Sequence, residues 1–186
     1  MSLEKLKSKN DLDDDDDFYD EEEEDSLLDN YLIFKCDEKD YALEIRFVTE
    51  IVALQEITEI PDLPPYLKGI INLRGKVLPV LDVRSRFNMV ETEYTERTCL
   101  VIAAKENSMI GLIVDAVTEV VKIPISEIEP PPKMNDKTSS RFVTGIGKAQ
   151  EGVKIILNLH NLIYEEEVKR VDAHIKEMTT ESTETP

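Results

Sequence analysis

The chain has no tryptophan, two cysteines, two histidines and few aromatic residues of any kind. Each scarcity removes a class of function. Aromatics are 6% of the residues, so there is no broad platform on which bases or sugars stack. Cys36 and Cys99 are far apart and fit no metal-ligand spacing. Two isolated thiols suit a reducing, cytoplasmic setting. His160 and His174 both fall near the C-terminus, and no acid, histidine and nucleophile assemble around them. No apolar run approaches the ~20 residues of a membrane helix, and no signal-peptide segment opens the chain. Lys and Arg number 22 against 40 Asp and Glu, a net charge of -18. Phosphate backbones and anionic lipid need the opposite sign, which argues against nucleic acid and against direct docking on anionic lipid, and the lack of a long apolar run argues against direct membrane insertion.

Much of the negative charge lies in one block: Asp11, Asp13 to Asp17, Asp20, Glu21 to Glu24 and Asp25. Such a run repels itself and buries no apolar area, so residues 1–28 read as a disordered acidic tail. Beyond it, short runs of strand formers alternate with polar turns. Tyr31 to Cys36 and Tyr41 to Ile45 flank Asp37 to Asp40 as a hairpin. Pro61, Pro64 and Pro65 force an irregular connection, and a second hairpin spans Gly69 to Leu81. Its Pro79 predicts an edge position or a bulge. Asp82 falls where a helix N-cap belongs.

The order then repeats. Cys99 to Ala104 and Met109 to Val114 form another hairpin. Val117-Thr-Glu-Val-Val121 matches Val48-Thr-Glu-Ile-Val52, and Ile125-Ser-Glu-Ile128 matches Ile57-Thr-Glu-Ile60. Pro130 to Pro132 stand where the earlier prolines stood, and the hairpin from Phe142 to Leu157 matches Gly69 to Leu81. About five short strands per copy is the size of a small barrel, which rarely stands alone. The sequence predicts a mainly β chain: one barrel over about 29–90, a second over about 97–158, and a groove between them. Asn158 is placed to cap a C-terminal helix in which Tyr164, Val168, Val171, Ile175 and Met178 form an apolar stripe. That stripe suits packing on the chain's own body, or a partner. The tail from Thr179 reads as disordered.

No active site assembles. Gly145-Ile-Gly147 lacks the third glycine and the lysine of a phosphate loop, so a backbone role in a tight strand fits better. An enzyme reading, a cofactor and a metal site are not expected. What remains are charges at turns and edges. Arg74 precedes Gly75 in the first copy's last hairpin, where the second copy has an ordinary turn. Glu50 lies among apolar residues. A guanidinium on a rigid turn beside apolar strands suits a protein contact, and equally a solvated turn.

Pro65-Tyr-Leu-Lys-Gly-Ile-Ile-Asn-Leu-Arg-Gly-Lys-Val-Leu-Pro-Val-Leu-Asp-Val-Arg-Ser-Arg-Phe87 resembles the signature region of CheW-type chemotaxis coupling proteins. Val117-Thr-Glu-Val-Val121 and Phe142-Val-Thr-Gly-Ile-Gly147 resemble that family's second-half motifs, and the likeness spans about 29–164. It implies two SH3-like five-stranded β-barrels packed together, with residues 165–186 a C-terminal helix extension and tail. It implies a non-enzymatic cytoplasmic adaptor at receptor clusters on the inner face of the membrane. Such adaptors link the cytoplasmic tips of methyl-accepting chemoreceptors to the histidine kinase CheA. Positions matching the family's receptor-binding surface are Val48, Glu50, Ile51, Arg74 and Cys99. Gly111, Val117 and Val120 match its kinase-binding surface. The acidic tail and the extended C-terminus depart from the pattern. Alternatives are a CheW-like regulatory module of another kinase pathway, controlling pili or development, and a small-ligand-binding barrel.

Overall fold

The computed structural model describes residues 27–106, 108–132, 141–163, 169–171, 173 and 176. The expected hairpins form. β1 (Asn30–Cys36) and β2 (Lys39–Glu44) turn through Asp37 and Glu38, both at positive φ, which matches the twist of the flanking strands. A 3₁₀ turn, Ile45–Phe47, leads to β3 (Val48–Ala53). β4 (Leu67–Leu73) and β5 (Lys76–Asp82) make the second hairpin, followed by the one-turn helix α1 (Val83–Arg86). The second copy supplies β6 (Cys99–Lys105), β7 (Ser108–Val114), β8 (Ala116–Lys122), β9 (Ile128–Glu129), β10 (Val143–Ala149) and β11 (Gly152–Leu157). It ends in a matching turn of helix, α2 (Leu159–Leu162). Asp82 accepts the Ser85 N–H (3.2 Å) and Asn158 the Asn161 N–H (3.2 Å), so both copies cap their helix alike.

The strands form a six-stranded sheet, ordered β8-β1-β2-β11-β10-β9, and a five-stranded sheet, ordered β3-β6-β7-β5-β4. These sheets do not follow the halves 29–90 and 97–158. The two copies exchange their first hairpins. β1–β2 joins β8 and β9 to β11 of the second copy, and β6–β7 joins β3 to β5 of the first. The junctions are equivalent parallel pairings, Ile156 with Ala42 and Val80 with Gly111. A repeat offers each hairpin two near-identical docking edges, so local pattern does not choose between them.

The exchange creates three cores. Ile71, Leu73, Leu78, Val80, Leu100, Ile102 and Ile113 fill the curl of the five-stranded sheet. Tyr31, Ile33, Ala42, Ile123 and Ile156 fill the other. Between the sheets lies a larger shared core with Leu32, Phe34, Leu43, Val101, Leu112 and Phe142. β1 and β6 therefore bury both faces, which is why they read as continuous apolar runs rather than alternating ones. Val171 is fully buried in the shared core, while Lys169, Arg170, Ala173 and Lys176 are exposed. At Val171 the expected stripe packs on the chain's own body. The helix does not run unbroken from Asn158, because Ile163 is extended. Tyr164, Val168, Ile175, Met178 and residues 1–26 lie outside the described residues.

Pro79 sits in β5 between two neighbouring strands, yet costs no ladder bond on the β4 side. Its partner Ile70 spends its own N–H and C=O on Thr58 (2.9 and 2.8 Å). The β7 ladder begins only at Val80. The missing N–H thus falls at a local edge. Gly145 and Gly147 serve close packing, as expected of a tight strand. A Cβ on Gly145 would lie 2.7 Å from Ile128, and one on Gly147 3.0 Å from Ile123.

Candidate protein-binding surface

The Arg74–Gly75 turn is a two-residue hairpin with both residues at positive φ, 51° and 86°. Glycine takes that conformation freely; arginine does so at about 1 kcal/mol. Asn72 Oδ1 accepts the Gly75 N–H at 2.8 Å and stiffens the turn. The guanidinium then forms a two-pronged bond to Glu50 (3.1 and 2.7 Å). Glu50 is on β3, at the opposite edge of the sheet from β4. The pair thus spans the mouth of the curled sheet. Arg74 stays 75% exposed in its side chain, so the pair adds little stability, roughly 0.2–1 kcal/mol.

A bulge at Thr49 decides what β3 presents. Val48 pairs with Ala103, but Glu50 already pairs with Ile102 and Ile51 with Val101. In a regular strand Val48 and Ile51, three positions apart, would point to opposite faces. With it, both share the face of Ala103 and Val101, which belong to the shared core, and Glu50 turns toward the barrel interior. Cys99, paired with Ala53, is on that same outer face. Val48 and Cys99 are four residues apart along β6, about 14 Å. Ile51 is 45% exposed between them.

β8 repeats the device. Val117 pairs with Phe34, Glu119 with Ile33 and Val120 with Leu32, so the bulge falls at Thr118. The Thr118 hydroxyl donates to Ile33 O (3.1 Å). Val117 and Val120 therefore share a face as Val48 and Ile51 do, and Val120 is 53% exposed. Val117 and Val48 both pack on the shared core. Burial pushes the Cys99 thiol up in pKa, opposed by the Val117 N–H beside it. The receptor set and the kinase set of the sequence thus include corresponding positions on two equivalent edge strands. Gly111 does not join them. It is buried between Ile102 and Val80, facing Leu100, Ile102 and Val80 side chains, and offers a partner no surface. An apolar cleft of about 370 Å³ lies elsewhere, against Tyr41, Phe87, Met89, Ile146 and Ile155.

The chain matches the family model described as CheW-like domain over residues 30–167. It belongs to the CheW-like domain family. It is 30% identical over 142 residues to the chemotaxis protein CheW of Klebsiella aerogenes, covering 76% of this chain and 86% of that one. It is 33% identical over 135 residues to that of Bacillus subtilis, covering 73% and 86%. Protein FrzA of Myxococcus xanthus is 29% identical over 119 residues, covering 62% and 73%. The crystal structure of the scaffolding protein TtCheW from Thermoanaerobacter tengcongensis superposes with a TM-score of 0.69 at 37% identity, covering 75% of this chain and 94% of that one. No helix among the described residues is long and apolar enough to cross a membrane.

The fold also carries ion pairs with no sequence signature. Arg84 holds Asp115 by two bonds (2.8 and 2.6 Å) and stands 3.6 Å from Asp37. The nearly buried Lys154 and the less buried Lys35 both bond Asp40 (2.7 and 2.9 Å). These lysines hold the Asp40 carboxyl below its ordinary pKa, the Lys154 bond foremost. Burial alone would raise Asp115, but the Arg84 and Asp37 N–H hydrogen bonds win and lower it. Depressed carboxyls stabilise the fold fully above the unfolded value of about 4 and lose that contribution as pH falls through the folded values. Melting temperature is expected to drop below about pH 4, and Asp40→Asn to flatten that part of the curve. Calorimetry across pH 2.5 to about 6 reads both. An unchanged acid limb in Asp40→Asn counts against this assignment.

Proposed function

We propose that this chain is a chemotaxis adaptor that couples the cytoplasmic tips of methyl-accepting chemoreceptors to the histidine kinase CheA, and that it works by contact alone. The observation that carries the reading is the pair of bulged edge strands, each turning two apolar residues onto one face. A receptor helical hairpin docks along Val48, Ile51 and Cys99, where apolar desolvation supplies affinity. Arg74 and Glu50 at the barrel mouth set register and partner choice, because a paired charge tolerates only a complementary neighbour. Val117 and Val120 serve the kinase's own CheW-like domain. The adaptor then sits at receptor clusters on the inner face of the membrane. The kinship with other CheW proteins and with a scaffolding protein supports this reading. The likeness to Protein FrzA supports a second, in which the same module serves another kinase pathway.

The test is titration of the full chain with a receptor hairpin and, separately, with the kinase regulatory domain. Saturable binding of both is expected. Failure to bind either one ends the coupling assignment for that partner. Arg74→Asn separates contact from fold. Asparagine tolerates the left-handed turn, so the relief of about 1 kcal/mol offsets the lost ion pair and stability stays within about 1 kcal/mol. Receptor affinity is expected to fall about tenfold, as for loss of an interface arginine. Equal affinity in the two proteins would return Arg74 to the role of a solvated turn residue.

A further inference from the structure

The chain passes between the two barrels twice. It crosses once through Ile45–Phe47, from β2 to β3, and once through a single residue, Asp115, from β7 to β8. Each crossing runs directly into a bulged edge strand, so Val48 follows the first and Val117 follows the second by two residues. Rotation at either crossing therefore moves those valines relative to the shared core.

The single-residue crossing is held from three sides. The Arg84 guanidinium donates to both Asp115 carboxylate oxygens, from Nε at 2.8 Å and Nη2 at 2.6 Å. Arg84 stands on α1, which follows β5 of the five-stranded sheet. Its third nitrogen, Nη1, donates to Val90 O (3.3 Å) and stands 3.6 Å from Asp37 Oδ1. Asp37 belongs to the β1–β2 turn, an element of the other sheet, and its N–H donates to Asp115 Oδ2 at 2.9 Å. The Asp115 N–H donates to Lys35 O (3.0 Å), again across to β1. The Arg84 side chain is 14% exposed, so water competes weakly for these bonds. A planar fork that fixes two carboxylate oxygens fixes orientation as well as distance.

We infer that Arg84, Asp115 and Asp37 form a clamp that sets the angle between the two barrels, and through it the spacing of the Val48–Ile51 and Val117–Val120 edges. Arg84 is a positioning residue; it touches no partner itself. The consequence for docking rests on the reading of those edges given above.

The test measures angle and affinity separately. Spin labels at Lys76→Cys and Gln150→Cys, exposed sites on the two last hairpins, report inter-barrel distance in a Cys99→Ser background. Cys36 is buried and stays unlabelled. Arg84→Gln and Asp115→Asn are expected to broaden the distance distribution. Arg84→Lys, which keeps the charge and loses the fork, is expected to give an intermediate width. Asp37→Asn, a milder change at the 3.6 Å contact, covers the case in which Arg84→Gln fails to fold. In the unlabelled chain with Cys99 intact, receptor-hairpin affinity is expected to fall about tenfold for Arg84→Gln, the scale of coupling carried through a side-chain hydrogen-bond network. A broadened distribution with unchanged affinity keeps the clamp and removes the docking reading. Unchanged distributions in the folded variants overturn the clamp, whichever way affinity moves.

Discussion

Arg74→Glu is expected to abolish receptor-hairpin binding, by about 100-fold or more, while the chain stays folded. The loss has two sources. The guanidinium fork is lost from the proposed contact, and the new carboxylate stands beside Glu50, which lost its counter-charge. Like charges brought together at a desolvated interface cost several kcal/mol. In the free chain the same substitution costs little, because residue 74 is mostly exposed and water screens the repulsion. Titration with the hairpin, alongside a thermal melt, checks both halves of the statement. Wild-type affinity in a folded Arg74→Glu variant would remove Arg74 from the contact. A melt that collapses would instead make the Arg74–Glu50 bond a closure of the barrel rather than a partner site.

The largest effect on the fold is expected at Gly69. Its φ is +139°, and a Cβ there would lie 2.1 Å from the Thr58 carbonyl oxygen. That oxygen accepts the Ile70 N–H, so the clash strikes the bonds that attach the 54–60 segment to β4. Gly69→Ala is expected to cost about 3–5 kcal/mol, from backbone strain plus the broken pairing, and to lower the melting temperature by about 10 °C or more. Gly75 has a positive φ too, at +86°, but nothing within 4 Å of its would-be Cβ. Gly75→Ala is therefore expected to cost only about 1–2 kcal/mol, from backbone strain alone. Calorimetry of the two variants side by side checks the ranking. Equal losses would show that strain at positive φ, not the close approach to Thr58, governs Gly69.

Much of the local structure was written in short segments. Asp82 and Asn158 cap because a short polar side chain before an apolar turn has few better uses. The hairpins followed from apolar runs interrupted by turn residues. The β3 and β8 bulges were not legible. Val48-Thr-Glu-Ile51 reads as an alternating strand that puts Val48 and Ile51 on opposite faces. Only the pairing with β6 shows that Thr49 is extra and that both residues face outward. Gly111 entered through the family resemblance alone, and only the pairing of β7 with β5 and β6 shows that it is buried inside its own sheet, against Leu100, Ile102 and Val80. Arg84 and Asp115 are 31 residues apart and carry no shared spacing, so their bond was invisible until the chain was folded.

Sequence alone determined that this is a duplicated, mainly β chain with an arginine turn in only one copy, because periodicity, turn chemistry and repeat are local properties. It could not determine which copy's hairpin completes which barrel. The Ile156–Ala42 and Val80–Gly111 pairings offer nearly the same local chemistry whether the hairpins stay or exchange. The exchange is visible only in the tertiary structure, where β1 and β6 bury both faces, one against a barrel core and the other against the core the two barrels share.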